Sequence, residues 1–142
     1  MKIAEARPAA TVVLLRDGSQ GLEVFMVRRH HQIDFAGGAL VFPGGKVAPE
    51  DVELGQTLAP EDALAPLRVA AIRELFEEAG LLLVTGADGE RNRLDDGVLD
   101  RLRTDLGQVD AHLARLIAPL GLRPDLDALL PLSLIHISEP TR

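Results

Sequence analysis

The apolar and polar positions of this chain predict strands in its first part and helices after them. Two apolar runs, ATVVLLRDG (10–18) and LEVFMVRR (22–29), predict β-strands joined as a hairpin at the polar turn 17–21. The first run is nearly continuous in Val and Leu, which is typical of a strand buried on both faces. A shorter apolar run, 39–42, leads into Pro43-Gly44-Gly45, where glycines let a ligand approach the main chain.

Beyond the glycines, composition and spacing predict a loop, a helix, a strand and two further helices. Residues 46–66 are rich in Pro, Asp, Glu and Ala, which favours a loop. The next helix is expected to open near Asp62, or with Pro66 in its first turn, and to close at Gly80. LLLV (81–84) predicts a strand. Apolar spacing over 94–120 predicts two short helices that break near Gly107 and serve packing.

Composition adds limits to this pattern. A chain of 142 residues with 46% hydrophobic and 26% charged residues is expected to form one folded globular domain. The net charge of −7 argues against a nucleic-acid polymer as partner, and the absence of cysteine excludes disulfides. The N-terminus lacks a signal-peptide core and the chain has no long apolar span, so we expect a cytoplasmic protein without a membrane partner.

The last eleven residues, LSLIHISEPTR (132–142), stand apart from the rest. They match the in-frame translation of a transposase adapter used in sequencing libraries. We therefore expect them to be a non-native tail and exclude them from fold reasoning. The expected domain is 1–131, incomplete at its C-terminus. The alternative is a natural strand over 133–137.

The segment RELFEEAG (73–80) carries the candidate chemistry. Wound as a helix, it places Glu74, Glu77 and Glu78 within an arc of about 100°, opposite an apolar stripe. A solvated charged face is the simpler interpretation, but glutamates at i, i+4 repel each other and Arg73 is the one nearby cation on the helix. Divalent cations that prefer carboxylate oxygens would offset this repulsion. Ala70, one turn earlier, is expected to leave room for ions.

Together, the glycine turn and this segment resemble the Nudix hydrolase family, whose signature is G-x5-E-x7-R-E-U-x-E-E-x-G-U. The second half is met in full by RELFEEAGL (73–81), and the resemblance extends over about 8–84. The first half starts at Gly45 and reaches Asp51 where the pattern has Glu. Glu50 and Glu61 are rival occupants of this acidic position. The spacer to Arg73 has 21 residues instead of seven.

The resemblance implies an α+β Nudix fold, with a mixed β-sheet packed between helices. It also implies hydrolysis of a diphosphate linkage in a nucleoside diphosphate derivative, with Mg²⁺ or Mn²⁺ as cofactor. Arg73 is expected to tie the helix to the loop acid. The implied residues are, for catalysis, Glu77, Glu74 and Arg73; for metal, Glu74, Glu78, Glu77 and the carbonyl of Gly45; and for substrate, Arg29, Gly44 and Gly45.

A finer resemblance concerns the substrate. The long spacer after a VFPGG turn is similar to the subgroup that includes peroxisomal coenzyme A diphosphatases. Arg29, Ile33 and Gly38 fit the coenzyme A motif of that subgroup, whereas Asp34 and Ala36 depart from it. Coenzyme A or acyl-CoA is therefore one candidate substrate, and a nucleotide sugar or dinucleotide is another. A non-catalytic nucleotide-binding module and an inactive truncated fragment stay open as alternatives, and so does a homodimer.

Overall fold

A computed structural model describes residues 6–28, 38–91, 93–108 and 111–132. The strands are β1 Ala9–Thr11, β2 Leu14–Gly18, β3 Gly21–Phe25, β4 Val27–Arg28, β5 Leu40–Val41, β6 Gly44–Lys46, β7 Val84–Thr85 and β8 Arg123–Pro124. The helices are α1 Pro49–Leu58, α2 Ala65–Ala79, α3 Asp96–Leu106 and α4 Leu113–Ile117, with 3-10 turns at Ala118–Leu120 and Leu126–Ala128. The chain thus combines helices and strands, and the predicted α+β class is confirmed.

The predicted hairpin forms, but each of its strands is divided. β2 and β3 pair antiparallel, with Gly18 opposite Gly21 at the turn. The segments that flank this hairpin take other partners: β1 pairs with β6, and β4 pairs with β5. Each predicted strand therefore serves two ladders, and the division falls at residues 12–13 and 26.

Burial of the hairpin differs from the prediction. The run over 10–18 was expected to be covered on both faces, yet Leu15 is 51% exposed. Its partner strand β3 is exposed along its whole length, with Leu22 at 66%. The expectation of two buried faces is wrong because a Val/Leu-rich run specifies a strand without specifying what covers it.

Residues 46–66, predicted as loop, contain α1. The helix has Pro49 at its first position, where the missing N–H costs nothing, and Asp51 at its third. The Asp51 carboxylate accepts a hydrogen bond from Ala48 N–H (2.8 Å) and so satisfies one of the free amides at the helix start. These residue types also compose loops, which explains the wrong prediction. Gly55 lets α1 lie against the backbone of Pro66 at the start of α2.

α2 follows its prediction closely. Pro66 lies in the first turn, and Gly80 ends the helix in a left-handed conformation (φ 70°). Its apolar stripe is fully buried at Ile72, Leu75 and Phe76. The two helices predicted over 94–120 are confirmed as α3 and α4, and they pack with α2 in the main core. That core contains Ile72, Phe76, Val84, Leu102, Leu106, Leu113, Ile117 and Leu122.

Two details of the sheet differ from expectation. The strand predicted over 81–84 is reduced to β7, which pairs with β8, a strand the sequence does not predict. All four ladders formed by the described strands are two-stranded and antiparallel, whereas the resemblance implies a mixed sheet. None of the described helices is long and apolar enough to cross a membrane.

Candidate active site

The three glutamates of α2 (74, 77 and 78) form its acidic edge. This edge lies against the glycine bend, which is Pro43-Gly44-Gly45 at the start of β6. A Cβ atom added at Gly45 would collide with the carboxylate of Glu74, so these two residues are in close contact. One turn later, Glu78 accepts a hydrogen bond from the backbone N–H of Gly44 (3.2 Å). The structure therefore brings together three residues of the signature, Gly45, Glu74 and Glu78, and the preceding Gly44.

Gly44 allows β6 to approach its other neighbour. A Cβ atom at this position would lie 2.8 Å from Thr11 Cα on the paired strand β1. Any side chain would push the two strands apart, because real Cβ atoms do not come that close to backbone. β6 is thus held between β1 on one side and the acidic edge of α2 on the other, with glycine at both contact points.

Arg73 is the hub of the ion pairs at this edge. Its guanidinium contacts both oxygens of Asp51, with Nη2 at 2.9 Å from Oδ2 and Nε at 3.0 Å from Oδ1. Its Nη1 donates to Glu74 (2.8 Å) and to Glu77 (3.1 Å). Nη2 also donates to the carbonyl of Lys46 (2.9 Å). One side chain therefore connects the start of α1, the end of β6 and the acidic edge of α2.

The charge of Arg73 is stabilised by this arrangement. Burial alone lowers its pKa, but hydrogen bonds and charge from Asp51, together with Glu74 and Glu77, outweigh burial and raise the pKa above its ordinary value. All these contacts are with protein groups, as in a structural tie between α2 and the first acid of the signature (hereafter the box, 45–81). A direct catalytic role for Arg73 stays a prediction.

The structure also distinguishes the three candidates for the first acidic position. Asp51 is 3% exposed and is the acid that Arg73 binds. Glu50 points elsewhere: its side chain is 44% exposed and lies 3.8 Å from Nδ1 of His112. Glu61 is exposed. Asp51 is therefore the acid that geometry assigns to this position.

Two cavities adjoin strand β6. The first, of about 520 Å³, is lined by Gly44, Gly45, Glu78, Arg28 and an apolar wall of Val27, Val41 and Phe42. The second, of about 430 Å³, is lined by Lys46, Arg73, Glu74, Glu77 and His112. The glutamates thus line different cavities: Glu78 the first, and Glu74 and Glu77 the second.

His112 was missed because the segment 94–120 shows only apolar spacing, which predicts packing. A histidine inside such a segment carries no signal of what it will face after folding. Arg28 belongs to a basic cluster visible in the sequence, yet the resemblance pointed to its neighbour Arg29. Both additions come from contacts between residues distant in the chain.

Comparison with known proteins agrees with this geometry. The model of the NUDIX domain matches residues 5–96, which is well over half of the chain. The chain belongs to the NUDIX domain family. A putative nudix hydrolase 7 of Caenorhabditis elegans is 37% identical over 76 residues, which is 54% of this chain and 22% of that protein.

A solved Nudix structure supports the fold directly. The crystal structure of a NUDIX hydrolase from Alicyclobacillus acidocaldarius superposes with a TM-score of 0.74 at 33% identity and covers 88% of this chain. The alignment covers 59% of that hydrolase, so this Nudix chain spans less than two thirds of either relative. The predicted α+β Nudix fold is confirmed.

Nudix hydrolases generally use divalent metal ions, and the donor atoms at this site decide whether such an ion fits. The donors available at the glycine bend are carboxylate and main-chain oxygens, the ligands preferred by Mg²⁺ and Mn²⁺. The absence of a side chain at Gly45 leaves the Glu74 carboxylate against bare backbone. The residues present therefore fit a hard divalent cation.

The acids at this site are engaged by protein groups. Within the described residues, no three acidic or histidine side chains converge into a ready-made metal cluster. Arg73 holds Glu74 and Glu77 in ion pairs, and Glu78 turns to Gly44. Ala70 does not provide the room expected of it, since it is completely buried.

The predicted coenzyme A motif and the predicted non-native tail lie largely outside the described residues. Arg29, the predicted phosphate ligand, lies outside the described residues, as do Ile33, Asp34 and Ala36 of the coenzyme A motif. Gly38 is described and has positive φ (80°), a conformation that favours glycine. The predicted non-native tail is described only at Leu132, so its origin also stays a prediction.

Proposed function

We propose that this Nudix domain hydrolyses a diphosphate linkage in a nucleoside diphosphate derivative, with Mg²⁺ or Mn²⁺ as cofactor. One observation carries the proposal: the bend of Gly44 and Gly45 lies directly against the carboxylates of Glu74 and Glu78. The acids supply oxygen ligands for a cation, and a cation held there would bind the phosphate oxygens of the substrate.

The first cavity is our candidate for the substrate. Its polar end contains Gly44, Gly45 and Glu78, and Arg28 supplies positive charge close by. A guanidinium is well suited to phosphate because its N–H groups form a planar fork. The apolar wall of the cavity suits the non-phosphate part of the substrate. Arg29 is proposed to add a second phosphate contact.

The remaining roles follow from the acidic edge of α2. We assign Glu74, Glu78, Glu77 and the carbonyl of Gly45 to the metal, which when bound would neutralise the diphosphate and lower the pKa of an attacking water. Glu77 is also our candidate to accept the proton of that water, because its side chain is 39% exposed and reachable by solvent. Arg73 would fix the positions of the Glu74 and Glu77 carboxylates through its ion pairs with them.

The finer proposal is coenzyme A or acyl-CoA as substrate. It depends on Arg29, Gly38 and the long spacer, whose first part, 52–58, belongs to α1. A small anionic substrate handled through a cation also agrees with the net charge of −7. A homodimer and a cytoplasmic location remain part of this proposal.

A substrate panel tests the activity. The protein is incubated with Mg²⁺ or Mn²⁺ and with coenzyme A, a nucleotide sugar or a dinucleotide, and phosphate-containing products are separated by chromatography. Glu78→Gln should lower turnover about a thousandfold, because several kcal/mol of transition-state stabilisation depend on the metal. Glu53→Gln, which changes an exposed acid on α1, is the control and should keep full activity.

Thermal unfolding with Mn²⁺ provides a second measurement. A ligand that binds only the folded state raises the melting temperature with its concentration, and Glu78→Gln should reduce this shift. Turnover retained by Glu78→Gln would move the metal site elsewhere. Binding of nucleotides without turnover of any panel member would instead favour the nucleotide-binding module.

A further inference from the structure

The C-terminal end of α2 is capped by an arginine from another helix. Arg103 of α3 donates to the carbonyl of Glu77 through Nε (2.9 Å) and Nη2 (2.7 Å). The same Nη2 donates to the carbonyl of Glu78 (3.2 Å). One guanidinium thus holds the main chain of two of the three box glutamates.

This end of α2 needs a cation. The last carbonyls of a helix have no partner within the helix, and they carry the negative end of its dipole. The carboxylates of Glu77 and Glu78 add negative charge in the same turn, and α2 has no basic residue there. Arg103 supplies both the missing hydrogen-bond donors and the missing positive charge.

α3 is anchored so that Arg103 reaches this place. Its neighbours Leu102 and Leu106 are buried in the same core cluster as Ile72 and Phe76 of α2. Asp95 caps the start of the helix, and its carboxylate accepts a hydrogen bond from Val98 N–H (2.9 Å). Arg103 therefore projects from a packed helix and not from a loose loop, although it is itself exposed.

We propose that Arg103 is a positioning residue of the metal site. By fixing the carbonyls of Glu77 and Glu78, it fixes where their side chains leave the backbone and hence where their carboxylates meet a cation and the glycine bend. The inference deepens the proposed function and rests on it. It also extends the site beyond the matched domain, which ends at Asp96, the first residue of α3.

Mn²⁺ affinity is the decisive measurement. Arg103→Ala should weaken Mn²⁺ binding about tenfold or more in a calorimetric or electron paramagnetic resonance titration, as removal of an outer partner of metal ligands does. Arg103→Lys keeps the charge but not the planar fork, so it should lose less. Arg101→Ala removes the same charge from an exposed position of the same helix and should stay within about twofold of the parent.

Hydrogen exchange tests the positioning step independently. The Gly80 N–H donates to the carbonyl of Phe76 (2.9 Å) at the end of α2, and its exchange should speed up in Arg103→Ala but not in Arg101→Ala. Circular dichroism establishes that the variants are folded. If Arg103→Ala does not fold, Arg103→Gln replaces it, with the same thresholds.

The outcomes separate this inference from the proposed function. Mn²⁺ affinity of Arg103→Ala within twofold of the parent overturns the inference, even if exchange is faster. If the parent protein neither binds Mn²⁺ nor hydrolyses any diphosphate, the proposed function fails. In that case, unchanged exchange of the Gly80 N–H in Arg103→Ala overturns the role of Arg103 as well. Faster exchange in this variant would still show that Arg103 stabilises the end of α2.

Discussion

Helix α2 and the β2–β3 hairpin both carry apolar and charged side chains, yet these side chains have different surroundings in the two regions. On α2, the apolar stripe is fully buried and the acids contact Arg73, Gly44 and Gly45. On the hairpin, Leu22 and Val24 remain exposed, and the ion pair of Arg16 with Glu23 lies in solvent.

The difference shows what an amino-acid pattern can determine. A helix with an apolar stripe and an acidic edge predicts two faces with two kinds of neighbour, and in α2 both neighbours are present. An apolar run in a strand predicts extended backbone, but the layer that would cover it comes from elsewhere in the chain. Stability should therefore depend much more on α2 than on the hairpin.

The largest expected effect comes from truncating a core side chain of α2, and the same kind of truncation on the hairpin should have almost none. Phe76→Ala removes a side chain that is completely buried between α2 and α3, and it should lower the free energy of unfolding by about 3–5 kcal/mol. Val24→Ala, on the exposed strand β3, should change it by less than about 0.5 kcal/mol. Urea unfolding measures both. Equal losses would mean that the hairpin is covered in solution.

The same contrast explains which parts of the fold could be predicted. α2 was predicted with its end because a 3.6-residue apolar spacing and Gly80 mark it. α1 was not, since it buries only Asp51 and Gly55 and so lacks an apolar stripe. β8 has two residues and one of them is Pro124, which is depleted in strands, so its pairing with β7 depends on tertiary contacts.

A smaller effect is expected from the ion pairs of the two regions. Asp51→Ala leaves the largely buried Arg73 without its principal partner. It should lower the free energy of unfolding by about 3 kcal/mol. Glu23→Ala breaks the exposed pair with Arg16 and should cost at most about 0.5 kcal/mol.

Glu50→Ala is the control for sequence position, since it removes the acid next to Asp51. It should have little effect on unfolding because Glu50 contacts solvent and His112 instead of Arg73. A loss in Glu50→Ala as large as that in Asp51→Ala would return the first acidic position of the box to Glu50. Chemical denaturation at one pH compares the three variants.

The site was partly predictable for a related reason. Glu74, Glu78 and Gly45 stand in a motif whose spacing is visible along the chain, and the structure brings them together. Arg103 and His112 act from a segment whose apolar spacing predicts only packing. Arg103 contacts the carbonyls of Glu77 and Glu78, and His112 lines a cavity with Glu74 and Glu77. No local pattern encodes such a meeting of residues far apart in sequence.

The smallest stability effect is expected at two glycines that each face a glutamate. A Cβ at Gly45 would meet the carboxylate of Glu74, and a Cβ at Gly18 in the hairpin would meet that of Glu23. Glu23 can swing into solvent, so Gly18→Ala should be nearly neutral, within about 0.5 kcal/mol. Glu74 is held by Arg73, so Gly45→Ala should cost about 1–2 kcal/mol.

Mn²⁺ binding sharpens this last comparison. Gly45→Ala must displace the Glu74 carboxylate from bare backbone, so it should weaken Mn²⁺ binding measurably even where its effect on unfolding is modest. Gly18→Ala should leave binding unchanged. If both variants bind Mn²⁺ like the parent, the contact between Gly45 and Glu74 is only packing, and the cation would have to be held by Glu77 and Glu78 without the glycine bend.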